Sequence, residues 1–132
     1  MLKYVLTNAI ILISLCTTTF SAFGYDVKKY EKDYGTVYRI QMHQDEVAIV
    51  RESDYSIVIN KINDFRCPEG MQCFWTGPFV MNGIFVSSNE NPFSLTYDNE
   101  PLNMFESFGY TTSIINVIKQ KNFFWIYLKV SH

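Results

Sequence analysis

The chain has 132 residues, 48% of them hydrophobic and 17% aromatic, with a formal net charge of −2. That is one domain at most, with ample apolar material for a single core. Its 11 basic and 13 acidic residues are scattered without a basic stripe, which argues against nucleic acid as a partner. Two histidines, His43 and His132, leave little material for imidazole acid–base chemistry.

Residues 1–24 read as a secretory signal peptide. Lys3 is followed by an apolar run over residues 4–16, then by small and polar residues over 17–24. The run is shorter than the ~20 apolar residues of a membrane-spanning helix. Ala22 and Gly24 place cleavage before Tyr25. Leu15 is too bulky to precede a lipidated cysteine, so Cys16 reads as part of the leader's apolar segment and not as a lipoprotein anchor. The mature chain loses Lys3 from the 11 basic residues and one of three cysteines. An even pair of cysteines in an exported chain, periplasmic or secreted, favours one bridge.

Residues 25–35 are polar and lysine-rich, with Tyr30 and Tyr34 but no steady period, as in an N-terminal arm or a loose edge. Residues 36–42 alternate like a half-buried strand. Gln44-Asp45 makes a turn, residues 46–51 form a second apolar run, and Ser53-Asp54 is another turn signal. Residues 55–63 read as a third strand, with Ile57 and Ile59 on one face and Val58 on the other. A long strand-like stretch over 74–87 is broken at Gly77-Pro78, and its Asn82-Gly83 suits either a hairpin turn or a twist within one strand. Residues 88–92 form a loop and 93–97 a short strand. Asn99-Glu100-Pro101 resembles a helix start, Leu102, Phe105 and Phe108 follow at helical spacing, and Gly109 can end the element. This predicts one short helix near 100–108, lying over the open end of the sheets. The last two strands, 110–118 and 123–130, are joined by a polar turn. In the final strand Phe124, Ile126, Leu128 and Val130 share the core face. Phe123, Trp125, Tyr127 and Lys129 share the other, expected to lie under the N-terminal arm. The pattern is all-β: an antiparallel β-sandwich of about seven short strands over residues 36–132.

The densest cluster of special residues is 64–78. Cys67 and Cys73 enclose a short stretch containing Pro68 and Gly70, which can bring two Cα atoms within the ~5.5 Å that a disulfide prefers. Such a bridge contributes roughly 2 kcal/mol through the unfolded chain and is expected to pin the flanking strands. The spacing is not that of a thiol oxidoreductase. Two cysteines with two distant histidines do not make a zinc site, so no metal and no cofactor is expected. Asp64 and Arg66 lie on one face of an extended chain, where carboxylate and guanidinium can bind each other or loop backbone. Trp75 reads as packing against the disulfide. The functional alternative is a recognition patch of Arg66, Glu69, Gln72 and Trp75 at one end of the sandwich.

The pattern Asp-x-Arg-Cys-Pro-x-Gly-x-x-Cys-x-Trp-x-Gly, from Asp64 to Gly77, resembles a group of small exported bacterial proteins of unassigned function. These are single β domains behind a signal peptide or lipoprotein signal. The flanks are similar too: Tyr110-x-Thr112-x-Ile114-x-x-Val117 and a terminal Tyr127-x-Lys129-Val130. The chain departs from the group at Pro78, at Lys119 and in lacking a lipidation site. The resemblance implies structural roles for Asp64, Pro68, Gly70 and Gly77, and no activity.

No nucleophile elbow or metal motif is present, and the paired acids Asp45-Glu46 sit in a turn as solvated charge. The expectation is a non-enzymatic, monomeric binding or structural module of the bacterial envelope, whose partner is a protein or another envelope component. A secreted inhibitor or adhesion-type factor is the alternative. Met42, His43, Met71, Met81 and His132 are ligand types suited to copper, but methionine more often fills cores. A periplasmic metal-binding protein and a hydrolase therefore rank behind.

Overall fold

The computed structural model describes residues 24–68, 70–74, 76–98 and 103–132. Residues 1–23 of the expected leader, Glu69, Trp75 and the expected helix start at Asn99 to Leu102 lie outside the described residues. Nine strands carry the rest: β1 Asp26–Lys32, β2 Gly35–His43, β3 Ala48–Arg51, β4 Ser56–Asp64, β5 Phe79–Val86, β6 Glu90–Tyr97, β7 Met104–Ser107, β8 Tyr110–Gln120 and β9 Phe123–Ser131. One antiparallel sheet has the order β1-β2-β9-β8-β7 and the other β3-β4-β5-β6. They pack face to face as a β-sandwich.

Period-two alternation builds the interface. Phe124, Ile126, Leu128 and Val130 of β9 are buried, as are Phe79, Met81 and Phe85 of β5 and Tyr38, Ile40 and Met42 of β2. Two strands break the alternation and are repaired by bulges. β4 shifts register between Ile59 and Lys61, which keeps Ile57, Ile59 and Ile62 all facing inward. β8 shifts between Ile114 and Asn116, which does the same for Ile114 and Val117. An extra residue in one strand is the way an i, i+3 apolar pair stays on one face of a sheet.

The described residues form nine strands where about seven were expected, and the two extra ones stand where an arm or loose edge and a helix were predicted. Residues 25–35, expected as an arm or a loose edge, are an edge and not a free arm. Their middle is β1, an exposed edge strand paired with β2 from Asp26↔Gln41 to Lys32↔Gly35. Its three lysines suit an edge that must not recruit another strand. It lies beside β2 in the sheet and does not cover the aromatic row of β9. There Trp125 is half-buried beneath Arg39, whose guanidinium sits 4.9 Å from the ring centre.

The helix expected near 100–108 is not found in the described residues, which form β7 there. Phe108 and Gly109 both have positive φ, 53° and 81°, and join Ser107 to Tyr110 across a two-residue hairpin turn. Glycine at such a turn and glycine ending a helix look alike in sequence, because both use left-handed backbone. The helical spacing of Phe105 and Phe108 has another origin. Phe105 packs from β7 against Phe93, centroids 5.3 Å apart, and Phe108 stacks on Phe85 from the turn, 6.2 Å away.

Asn82-Gly83 is not a turn either; it lies inside β5. A Cβ on Gly83 would fall 2.2 Å from the Val58 carbonyl oxygen and 2.7 Å from Phe93 Cζ. The glycine serves a close approach, not a bend. Pro92, expected in a loop, belongs to β6, an edge strand of its sheet. Edge strands tolerate a residue that cannot donate.

Candidate functional site: the disulfide-closed loop

Antiparallel pairing sends the connections alternately to two ends of the sandwich. At one end lie the β2–β3 turn, the β8–β9 turn and residues 65–78, which join β4 to β5. The long connection begins as a continued ladder: Phe65 N donates to Pro78 O at 3.1 Å and Gly77 N to Phe65 O at 2.9 Å. A Cβ on Gly77 would meet Phe65 Cβ at 2.6 Å, so glycine is what lets the two arms close into a neck.

Beyond the neck, Cys67 and Cys73 form the expected disulfide, with Cα atoms 6.0 Å apart. Inside it Met71 N donates to Pro68 O at 3.2 Å, and Gly70 takes a φ of 83°. The bridge is enclosed within the connection, so it shapes the loop. The register of β4 on β5 is held by the neck and the ladder.

Asp64 and Arg66 brace the base. The guanidinium donates from Nε to Asp64 Oδ1 at 2.8 Å and from Nη2 to Oδ2 at 3.2 Å. Its Nη1 reaches across to the Val117 carbonyl of β8 in the opposite sheet at 3.0 Å, and the Arg66 backbone N–H returns to Asp64 Oδ1 at 3.1 Å. Burial pushes the Asp64 carboxyl up, but the side-chain and backbone hydrogen bonds from Arg66 outweigh it and hold the group below its ordinary value. One fork thus ties the loop to both sheets.

The expected patch of Arg66, Glu69, Gln72 and Trp75 divides. Arg66 is spent on Asp64 and Val117, and Gln72 is exposed at the tip. Glu69 and Trp75 lie outside the described residues. Other residues stand out instead: Phe65 is 59% exposed, Met71 65% and Phe74 fully so; the sequence singled out neither phenylalanine, and Met71 only as a ligand type. The available sign was three large apolar side chains among turn formers, where no strand or helix face could bury them. Two clefts flank the loop. One of about 510 Å³ runs along Cys67, Pro68, Ile118, Lys119 and Lys121. Another of about 330 Å³ runs along Thr76, Pro78, Tyr97 and Val117. Arg66 lines both.

The remaining candidates do not converge. His43 contacts the Glu46 carboxylate, but on the exposed β2–β3 turn. Met42 and Met81 are buried in the core, Met71 is at the loop tip, and His132 packs edge-on against Tyr110 at the opposite end. Among the described residues no group of three or more His, Cys, Asp or Glu side chains is placed to hold a metal ion, and no helix is long and apolar enough to cross a membrane. Comparisons of the chain with protein-family models, with curated proteins and with solved structures find no match.

Proposed function

We propose that this is an exported, non-enzymatic binding module of the bacterial envelope, and that the loop 65–78 is its binding surface. The observation that carries the reading is the presentation of Phe65, Met71 and Phe74 to solvent on a loop closed by a disulfide and braced by Arg66. Exposed apolar side chains on a flexible loop lose entropy when they dock; a loop already constrained loses less. Aromatic residues and methionine are also enriched at recognition surfaces. Apolar side chains presented to solvent suit an apolar groove on a partner protein or other envelope component. The pair of cysteines and the leader-like residues 1–24 support export, where a disulfide persists.

Site-specific photo-crosslinking in cells tests this. A benzophenone amino acid at position 71 is expected to give a discrete adduct with an envelope component, lost when Phe74→Ser is added. The same probe at Lys32, at the far end of β1, is expected to give none. The same adducts from both positions would sink the reading. N-terminal sequencing of the exported form is expected to start at Tyr25.

A further inference from the structure

At the end of the sandwich opposite the loop, an open cavity of about 360 Å³ is lined by Tyr38, Tyr55, Tyr110, Glu52, Asp54 and Lys29, among others. Its floor is a hydrogen-bonded chain with only one consistent proton order. Tyr38 and Tyr55 hydroxyls are 2.5 Å apart, and Tyr38 lies 2.8 Å from Glu52 Oε1. Lys29 Nζ sits 3.0 Å from the same carboxylate. An ionised carboxylate only accepts, so the single proton of Tyr38 goes to Glu52, and Tyr55 must donate its own to Tyr38. The Tyr55 oxygen then has acceptor capacity with no donor from the described residues, although the residue is only 9% exposed. Asp54 also lines the cavity; its carboxylate has no partner among the described residues, and its backbone carbonyl takes Ser87 Oγ. Lys29 is already shared between Glu52 and Glu31. His132 also lines the cavity and can donate one ring N–H, but it packs edge-on against Tyr110, ring centres 4.7 Å apart. Two carboxylates and the tyrosine oxygens still outnumber the donors.

We propose that this cavity binds a small protonated amine, whose N–H donors satisfy the Tyr55 hydroxyl oxygen and the Asp54 carboxylate. A pocket of a few hundred Å³ with a few convergent polar groups is the usual form of a small-ligand site. Lys29 supplies the intramolecular precedent: an ammonium docked on Glu52, leaving the Tyr55–Asp54 side for a second. The site is independent of the loop surface proposed above.

The test is titration of the oxidised protein with putrescine, read by calorimetry and by NMR shift mapping. Saturable binding is expected, with shifts centred on Asp54, Tyr55 and Tyr110. Asp54→Asn, an exposed position that leaves the fold intact, is expected to weaken binding about tenfold, the equivalent of about 1.4 kcal/mol. Lys29→Met removes a competing cation and is expected to tighten it. The uncharged isostere 1,4-butanediol is expected not to bind. Absence of saturable putrescine binding would overturn the proposal. So would equal binding of the diol, an unchanged affinity in Asp54→Asn, or weaker binding in Lys29→Met, the last being the signature of an anion site.

Discussion

Tyr38 and Tyr55, from adjacent faces of the two sheets, share a hydrogen bond of 2.5 Å in the buried end of the core. It joins β2 to the β3–β4 turn, and through Glu52 and Lys29 it reaches the edge strand β1. Burial, followed by the hydrogen bond between them and that to Glu52, pushes the Tyr38 hydroxyl well above its ordinary value. Burial likewise raises Tyr55. Both stay protonated across the physiological range.

Tyr38→Phe is expected to destabilise more than Tyr55→Phe. The first strands a buried Tyr55 hydroxyl and removes a donor from Glu52, at a cost of about 1–3 kcal/mol. The second leaves the Tyr38–Glu52 bond in place and is expected to cost about 1 kcal/mol. Urea denaturation of both single variants and the double checks the order. The double variant should cost less than the sum, since the pair is coupled.

Acid should weaken the fold through two carboxyls. Burial raises Glu52, but its hydrogen bonds from Tyr38 and Lys29 outweigh that and hold it below its ordinary value; Asp64 is lowered by Arg66 in the same way. A depressed folded value means that the unfolded chain binds protons first as pH falls. The stabilisation is therefore complete above the ordinary carboxylate range and is lost as pH drops through the folded values. The melting temperature is expected to fall as pH is lowered from about 5 to about 3. The slope should be shallower in Glu52→Gln and in Asp64→Asn.

Arg66→Ala is expected to cost about 3 kcal/mol, the range for stranding one member of a largely buried ion pair. Its partner Asp64 has a side chain only 10% exposed, and the Val117 carbonyl loses its donor as well. Arg66→Lys should recover little, since an ammonium cannot present two parallel donors and a third to the opposite sheet. Thermal denaturation of the three proteins is the check.

Reducing the Cys67–Cys73 bridge, or replacing both residues by serine, is expected to cost roughly 2 kcal/mol while the sandwich stays folded. The bridge sits beyond the neck, so hydrogen exchange should rise over 66–76 and stay unchanged in β4 and β5. Faster exchange throughout β5 would show that the disulfide holds the register after all.

Gly83→Ala should destabilise by about 2–3 kcal/mol through overpacking, because the new methyl meets backbone at Val58 and the ring of Phe93. Serine at Asn82, its half-buried neighbour, is expected to be near neutral. Chemical denaturation distinguishes the two.

Local pattern determined a good deal of this protein. Alternation in β9, turn chemistry between strands and the paired cysteines are short-range signals, and they were enough for an antiparallel sandwich, the disulfide and the Asp64–Arg66 pair. Tertiary structure decided what depends on residues distant in the chain. β1 has no apolar period of its own and is a strand only because β2 offers it an edge. Residues 104–107 follow the β8 ladder although Phe105 and Phe108 are spaced like a helix, because rings from β5 and β6 await both. The loop's apolar tip and the acceptor-rich cavity come from long-range placement: folding leaves Phe74 exposed and brings Tyr38, Tyr55 and Tyr110 together from three separate strands and turns.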